Sequence, residues 1–217
     1  YQGKIIDYTD QIIMPGFIDI HIHGWGRGSF SHKGSSGALS RMSKDLVHTG
    51  TTAYLATSGA MANDFLEYSL AQAADYIESA TPDNGAEVVG IHMEGPYINS
   101  EYLGMQSADS LQLLSISGFD KFNQIARGHI RSMTLAPELE GGLELTKYLR
   151  KQNITVAAGH TAATFDEITR AIKEADLNHF THSYSAMRGF HHRELGVVGA
   201  LMYYQDVFAE VAKQTGI

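Results

Sequence analysis

The chain of 217 residues contains no cysteine. This excludes a disulfide framework and any thiolate metal site, so a metal here would have to be held by nitrogen and oxygen. Positive charge is scarce: 16 Lys and Arg face 24 Asp and Glu, for a net charge of −8. No basic run offsets this. Nucleic acid is excluded as a bulk partner, while a local basic site for one phosphate is not. Long apolar runs are also missing, so no segment reads as a membrane span, and no secretory pattern opens the chain. The expected setting is the cytoplasm, with no membrane partner. What is present is an ordinary globular balance, 43% hydrophobic and 18% charged, in a length that suits one large domain. Tyr1 is not an initiator methionine, and Thr215-Gly216-Ile217 stops without a helix cap. The chain therefore reads as a segment of a longer protein.

The organising stretch is Pro15-Gly16-Phe17-Ile18-Asp19-Ile20-His21-Ile22-His23-Gly24. Isoleucines alternate with Asp19, His21 and His23, which predicts a buried strand with both histidines on one side. Imidazoles at i and i+2 can converge on one metal ion. The plainer alternative is a surface strand with two solvated histidines.

Residues 1–13 read as a short extended piece. Residues 24–37 read as a long loop of five glycines among Trp25, Arg27, His32 and Lys33, where a ligand could be handled. A helix follows with Leu39, Met42, Leu46 and Val47 on one stripe, ended by Gly50. Strands are expected at 51–57, 87–94, 130–135, 154–158, 178–181 and 206–212. Asn63 is expected to cap the second helix, whose stripe is Leu66, Leu70, Ala73, Ala74 and Ile77. Thr164-Phe165-Asp166-Glu167 reads as a capping box. Residues 97–128 form a mixed excursion, and a loop carries His191, His192 and Arg193.

Strand and helix thus alternate at least six times, which argues a parallel sheet with crossover helices. His21 with His23, Glu94, Glu138, His160 and His182 each close a different strand at its C-terminal end. A closed (β/α) barrel gathers such ends at one mouth, whereas an open doubly wound sheet spreads them along an edge. His21, His23, Glu94, His160 and His182 form a nitrogen-and-oxygen set suited to zinc or a similar divalent ion. Singly, each could be a core histidine or a helix-capping carboxylate. His92 is expected to share its side with neither neighbour and to be structural. Trp25 could stack on a sugar face or pack in the core.

These motifs carry a resemblance. The Pro15–Gly24 stretch resembles the opening of the amidohydrolase superfamily. His92-Met93-Glu94-Gly95-Pro96, Leu135-Ala136-Pro137-Glu138, Gly159-His160-Thr161-Ala162-Ala163-Thr164 and Thr181-His182-Ser183-Tyr184-Ser185-Ala186-Met187 are similar to the N-acetylglucosamine-6-phosphate deacetylase family within it. The resemblance implies an α/β fold, a deformed (β/α)8 TIM-like barrel. Here it would be incomplete, with about six or seven strands at 14–217 and the end of a small β-sandwich domain at 1–13.

It also implies metal ligands at Glu94, His160 and His182, with His21 and His23 supplying a second site. One or two divalent ions per chain are expected, zinc first, with iron, manganese or cobalt as alternatives. The implied reaction is metal-assisted hydrolysis of a sugar-phosphate acetamide by a homodimer. The family's general acid/base, an aspartate at the end of the eighth strand, would fall beyond Ile217. Ser185 and Ala186 stand where the family has Asn-Ala touching the phosphosugar, and Gln106 where relatives carry a substrate-contacting histidine. Arg193 matches a phosphate-binding arginine, with His192 beside it as a further substrate candidate. The rival readings are another deaminase or cyclic amidase of the superfamily, and a non-catalytic sugar-phosphate-binding protein.

Overall fold

The computed structural model describes residues 3, 6–31 and 35–211. His32, Lys33 and Gly34 of the glycine-rich loop, and Ala212 to Ile217 of the tail, lie outside the described residues. Strands β1 (Phe17–Ile22), β4 (Thr51–Ser58), β5 (Glu87–Glu94), β6 (Ile130–Leu135), β7 (Thr155–Ala158), β8 (His179–Phe180) and β9 (Phe208–Ala209) form one sheet. Every neighbouring pair in it is parallel. Strand order follows chain order from one edge to the other. A doubly wound sheet reverses its order at a switch point; a barrel wall does not. The seven strands match the expected number. Among the described residues no helix is long and apolar enough to cross a membrane.

Helices α1 (Ser36–Leu46), α2 (Asn63–Ser79), α3 (Ile116–Ile125), α4 (Gly142–Lys151), α5 (Phe165–Ala175) and α6 (Gly196–Tyr203) lie between successive strands. The core forms where they meet one face of the sheet. Tyr54 and Ala56 on β4, Ile91 and Met93 on β5, Met133 and Leu135 on β6, and Phe180 on β8 pack there against Leu39, Leu66, Leu70, Phe119 and Ile168. At a period of two the intervening residues face the other way. That opposite face carries His92, Glu94, Thr134 and Thr181, all buried.

Several local expectations hold. Gly50 takes the left-handed cap position, φ 83°, after a 3-10 turn at Val47–Thr49. Thr164 and Glu167 make the reciprocal capping box of α5. Others need correction. Val47 belongs to that 3-10 turn and is exposed, because the α-helix proper ends at Leu46 and the tighter turn rotates Val47 off the stripe. Asn63 is the first helical residue of α2 rather than its cap, and its side chain accepts a hydrogen bond from Gln112 Nε2 at 2.6 Å.

Residues 6–16 contain no strand; a turn closes from Gln11 N–H to the Tyr8 carbonyl. The glycine-rich stretch holds a small antiparallel hairpin, β2 (Gly24–Trp25) and β3 (Gly28–Ser29). Trp25 on it is half exposed rather than in the core. Finally, β1 is not a buried strand. It is an edge of the sheet, with Ile18 and Ile20 65% and 42% exposed.

Candidate metal centre

The expected metal ligands sit at C-terminal strand ends. Glu94 is the last residue of β5, His160 and His182 follow β7 and β8 by two residues, and His23 follows β1 by one. A bulge shapes β1: Asp19 pairs with Tyr54 and Ile22 with Ala56, so three steps on β1 match two on β4. Bulges re-aim side chains next to sites. Here Asp19 Oδ1 also accepts the His21 main-chain N–H at 3.0 Å.

Glu94, only 2% exposed, is the hub. Its Oε1 lies 3.1 Å from His160 Nε2, 2.9 Å from His182 Nε2 and 3.4 Å from His21 Nε2. Its Oε2 lies 3.2 Å from His23 Nε2. The Nε2 atoms of His160 and His182 are 3.0 Å apart, and those of His21 and His23 are 3.3 Å apart.

Each imidazole is oriented through its other nitrogen. His160 Nδ1 faces the Tyr102 carbonyl at 2.8 Å, His182 Nδ1 the Ser185 carbonyl at 3.2 Å, and His23 Nδ1 the Thr57 carbonyl at 3.2 Å. Carbonyls only accept, so each Nδ1 carries the hydrogen and each Nε2 is left as a donor of electrons. His21 Nδ1 is held by Glu210 Oε2 at 2.8 Å. This is the outer-shell pattern of metal-ligating histidines.

The fit to an ion can be tested on these distances. Paired Nε2 lone pairs facing each other at 3.0–3.3 Å repel unless a proton or cation lies between them. Ligands about 2.0–2.1 Å from a tetrahedral ion stand about 3.3–3.4 Å from one another. In Glu94–His160–His182 the ligand atoms stand 2.9–3.1 Å apart around one oxygen, Oε1; in Glu94–His21–His23 the contacts are 3.2–3.4 Å, with Oε1 against His21 and Oε2 against His23. Both are nitrogen-and-oxygen sets that can hold a divalent cation, sharing one carboxylate.

The same contacts couple the charges of these groups. Burial alone would raise the Glu94 pKa, but the imidazoles of His160, His182, His21 and His23 packed against it outweigh burial and hold the carboxyl well below its ordinary range. Burial depresses His21, yet Glu210 and Glu94 together lift it to about 10. Glu210 is correspondingly lowered, its bonds to His21 overcoming its burial. Burial first, and the nearby His21 charge second, push His92 down to about 4.

His92 is two residues from Glu94 and shares its face, which corrects the expectation that it would not. Its role is structural: Nδ1 donates to the Ile20 carbonyl, and Nε2 accepts from Thr134, which also bonds Thr181 at 2.6 Å. That neutral chain packs beneath the site.

The remaining expected residues divide. Gln106 reaches Glu94 directly, Nε2 donating to Oε2 at 2.7 Å. Ser185 acts through its main chain, donating its N–H to the His182 carbonyl and accepting from His182 Nδ1. The Ala186 carbonyl accepts from Thr161 N–H. His192 and Arg193 are exposed on the turn closed by His191 and Glu194. Glu138 accepts from Asn99 Nδ2, Thr161 Oγ1 and Ala162 N–H, which fixes the loop that follows His160.

Glu210 was not expected; taking 206–212 as one strand puts it in mid-strand, whereas β9 ends at Ala209. It grips His21 and accepts the His182 main-chain N–H at 3.0 Å. His160, His182, Tyr184 and Ala186 all have positive φ, between 28° and 75°. Such strain in non-glycine residues clusters at functional sites. A cavity of about 760 Å³ opens beside the centre, lined by Phe17, Asp19, His21, His182 and Glu210 among others.

The model of the amidohydrolase family matches residues 12–215. The N-acetylglucosamine-6-phosphate deacetylase of Bacillus subtilis is 36% identical over 213 residues, covering 97% of this chain and 53% of the relative. The N-acetylgalactosamine-6-phosphate deacetylase of Escherichia coli O157:H7 is 32% identical over 197 residues, 91% of this chain and 51% of the relative. Among solved structures, the N-acetylglucosamine-6-phosphate deacetylase of Thermotoga maritima superposes with a TM-score of 0.79 at 32% identity, covering 91% of this chain and 51% of that one. The Mycobacterium smegmatis enzyme of the same name gives 0.80 at 29%, with 91% and 50% covered. The chain spans about half the length of the relatives it matches.

Proposed function

The chain belongs to the amidohydrolase family, and on that premise we propose that its site serves metal-dependent hydrolysis of the acetamide of N-acetylglucosamine-6-phosphate to glucosamine-6-phosphate and acetate. The observation that carries this reading is Glu94 enclosed by four imidazoles whose Nε2 atoms converge on it. Glu94, His160 and His182 would hold one divalent ion, and His21 and His23 with Glu94 a second. Zinc is the first choice for such ligands, with iron, manganese and cobalt able to replace it. An ion there supplies Lewis acidity toward the amide carbonyl and lowers the pKa of water.

The chain's own groups do the rest. Hydrogen bonds to carbonyls keep the Nε2 atoms of His23, His160 and His182 unprotonated and aimed inward. Glu210 holds His21 in register. We assign phosphate recognition to Arg193, whose guanidinium fork suits a phosphate and whose exposure lets it act across a homodimer contact. His192, Ser185 and Ala186 complete the substrate side. The proton passed to the departing amine is assigned to the aspartate that the family resemblance places after Ile217.

The test is acetate release from N-acetylglucosamine-6-phosphate by the full-length protein, with and without a chelator. Release that chelation abolishes and a divalent metal restores is expected. Metal binding without acetate release would overturn the reaction. The galactosamine isomer, run beside it, separates the two sugar specificities found among the relatives.

A further inference from the structure

We infer that Gln106 is a positioning residue of the metal centre, fixing the Glu94 carboxylate from an anchor on the main chain beyond β4. The inference rests on the reading of Glu94 as a metal ligand. Gln106 Oε1 accepts the Ala60 main-chain N–H at 2.7 Å, and Gln106 Nε2 donates to Glu94 Oε2 at 2.7 Å. An N–H can only donate, so Ala60 settles which way the amide faces: oxygen to Ala60, NH2 to Glu94. A glutamate's terminal torsion is broad and would let its carboxylate swing. Held at Oε2, Glu94 presents Oε1 between His160 and His182, at 3.1 and 2.9 Å.

The surrounding backbone is fitted to this contact. A Cβ at Gly59 would lie 2.9 Å from Gln106 Oε1. Gly95, directly after Glu94, has φ 81°, and a Cβ there would come within 3.1 Å of the Ala60 Cβ. The ends of β4 and β5 are thus drawn together around one side-chain amide. Neutrality matters as well. A carboxylate at position 106 would keep the Ala60 hydrogen bond but set a like charge against Glu94 instead of a donor. Gln106 turns its polar atoms inward, to a ligand carboxylate and a strand end. Outer-shell partners of this kind change metal affinity roughly 10–100-fold when lost.

The experiment measures zinc affinity of the full-length protein by competition with a chromophoric chelator, without reference to turnover. Gln106→Leu removes the donor at similar volume, and Gln106→Glu keeps the shape while reversing the interaction. Met105→Ala, a fully exposed neighbour, is the control. Both Gln106 variants should bind zinc roughly 10–100-fold more weakly while each still melts cooperatively without metal; the control should match the parent. Parent-like affinity in either Gln106 variant overturns the assignment. A parent protein that binds no zinc, iron, manganese or cobalt sinks the metal-site reading instead, so the two failures are distinct.

Discussion

Glu210 shows at single-residue scale what an outer shell contributes. It accepts from His21 Nδ1 and from the His182 main-chain N–H, so one carboxylate tethers a histidine of each triad. The His21 tether is the one that bears directly on a ligand side chain. Glu210→Gln should therefore weaken the ion held by His21 and His23 roughly 10–100-fold, and change the Glu94–His160–His182 ion far less. Metal content after dialysis against graded chelator would check this: two ions per parent chain and one per variant chain is the expected result, and equal loss of both ions would count against it. The five candidate ligands were legible in the sequence because each follows an apolar run at a strand end, a position that periodicity locates well. Glu210 was not, because the apolar run around Phe208 looks longer than the two residues that pair. Gln106 stands out by the family resemblance, but its contact with Ala60 joins residues 46 apart, and no local pattern reports that.

Among elements, those with a strong period were readable and those without were not. The stripes of α1, α2 and α5 each have a polar side, so Leu39, Leu66, Leu70 and Ile168 could be assigned to the core. Helix α6, Gly196–Tyr203, is apolar all round and has no counterpart among the expected elements; its first five residues are buried. A helix packed on every side has no amphipathic signal to read. The β2–β3 hairpin was likewise hidden in a glycine-rich stretch. It is pinned to α1 by Asp45, which accepts from Arg27 N–H at 2.9 Å and from Arg27 Nη2 at 2.7 Å. Gly26 in the turn has φ 57°, and a Cβ there would strike Asp45.

The Arg27 side-chain bonds first, and its main-chain N–H second, lower Asp45 to about 2. An unfolded aspartate titrates near 3.9, so the folded pKa is the lower one. The stabilisation is therefore complete above about pH 4 and disappears as pH falls through about 2. Asp45→Asn should lower the melting temperature at pH 7, with the gap to the parent closing across that acid window. A gap that persists below pH 2 would mean the clamp is not ionic.

At the scale of the whole molecule, sequential parallel order explains why residues from 21 to 210 meet at one point: strands added in chain order bring every C-terminal end to the same rim. That much followed from the alternation of strands and helices. What alternation could not reveal is which strands form the edges. Among the described residues β1 and β9 each have a neighbour on one side only. Phe17, Ile18 and Ile20 of β1 are consequently exposed, although their pattern reads as core. Unpaired parallel edges with apolar side chains invite pairing with other chains. The 217-residue chain produced alone should therefore self-associate, as size-exclusion chromatography with light scattering would show. Ile18→Lys combined with Ile20→Lys should shift it toward monomer by placing charge on that edge. In the full-length protein the same pair should instead lower the melting temperature, because there these isoleucines would be covered. A parent chain that runs as a monomer and melts in one cooperative transition would show that β1 tolerates its exposure, and would remove the case for a covering element.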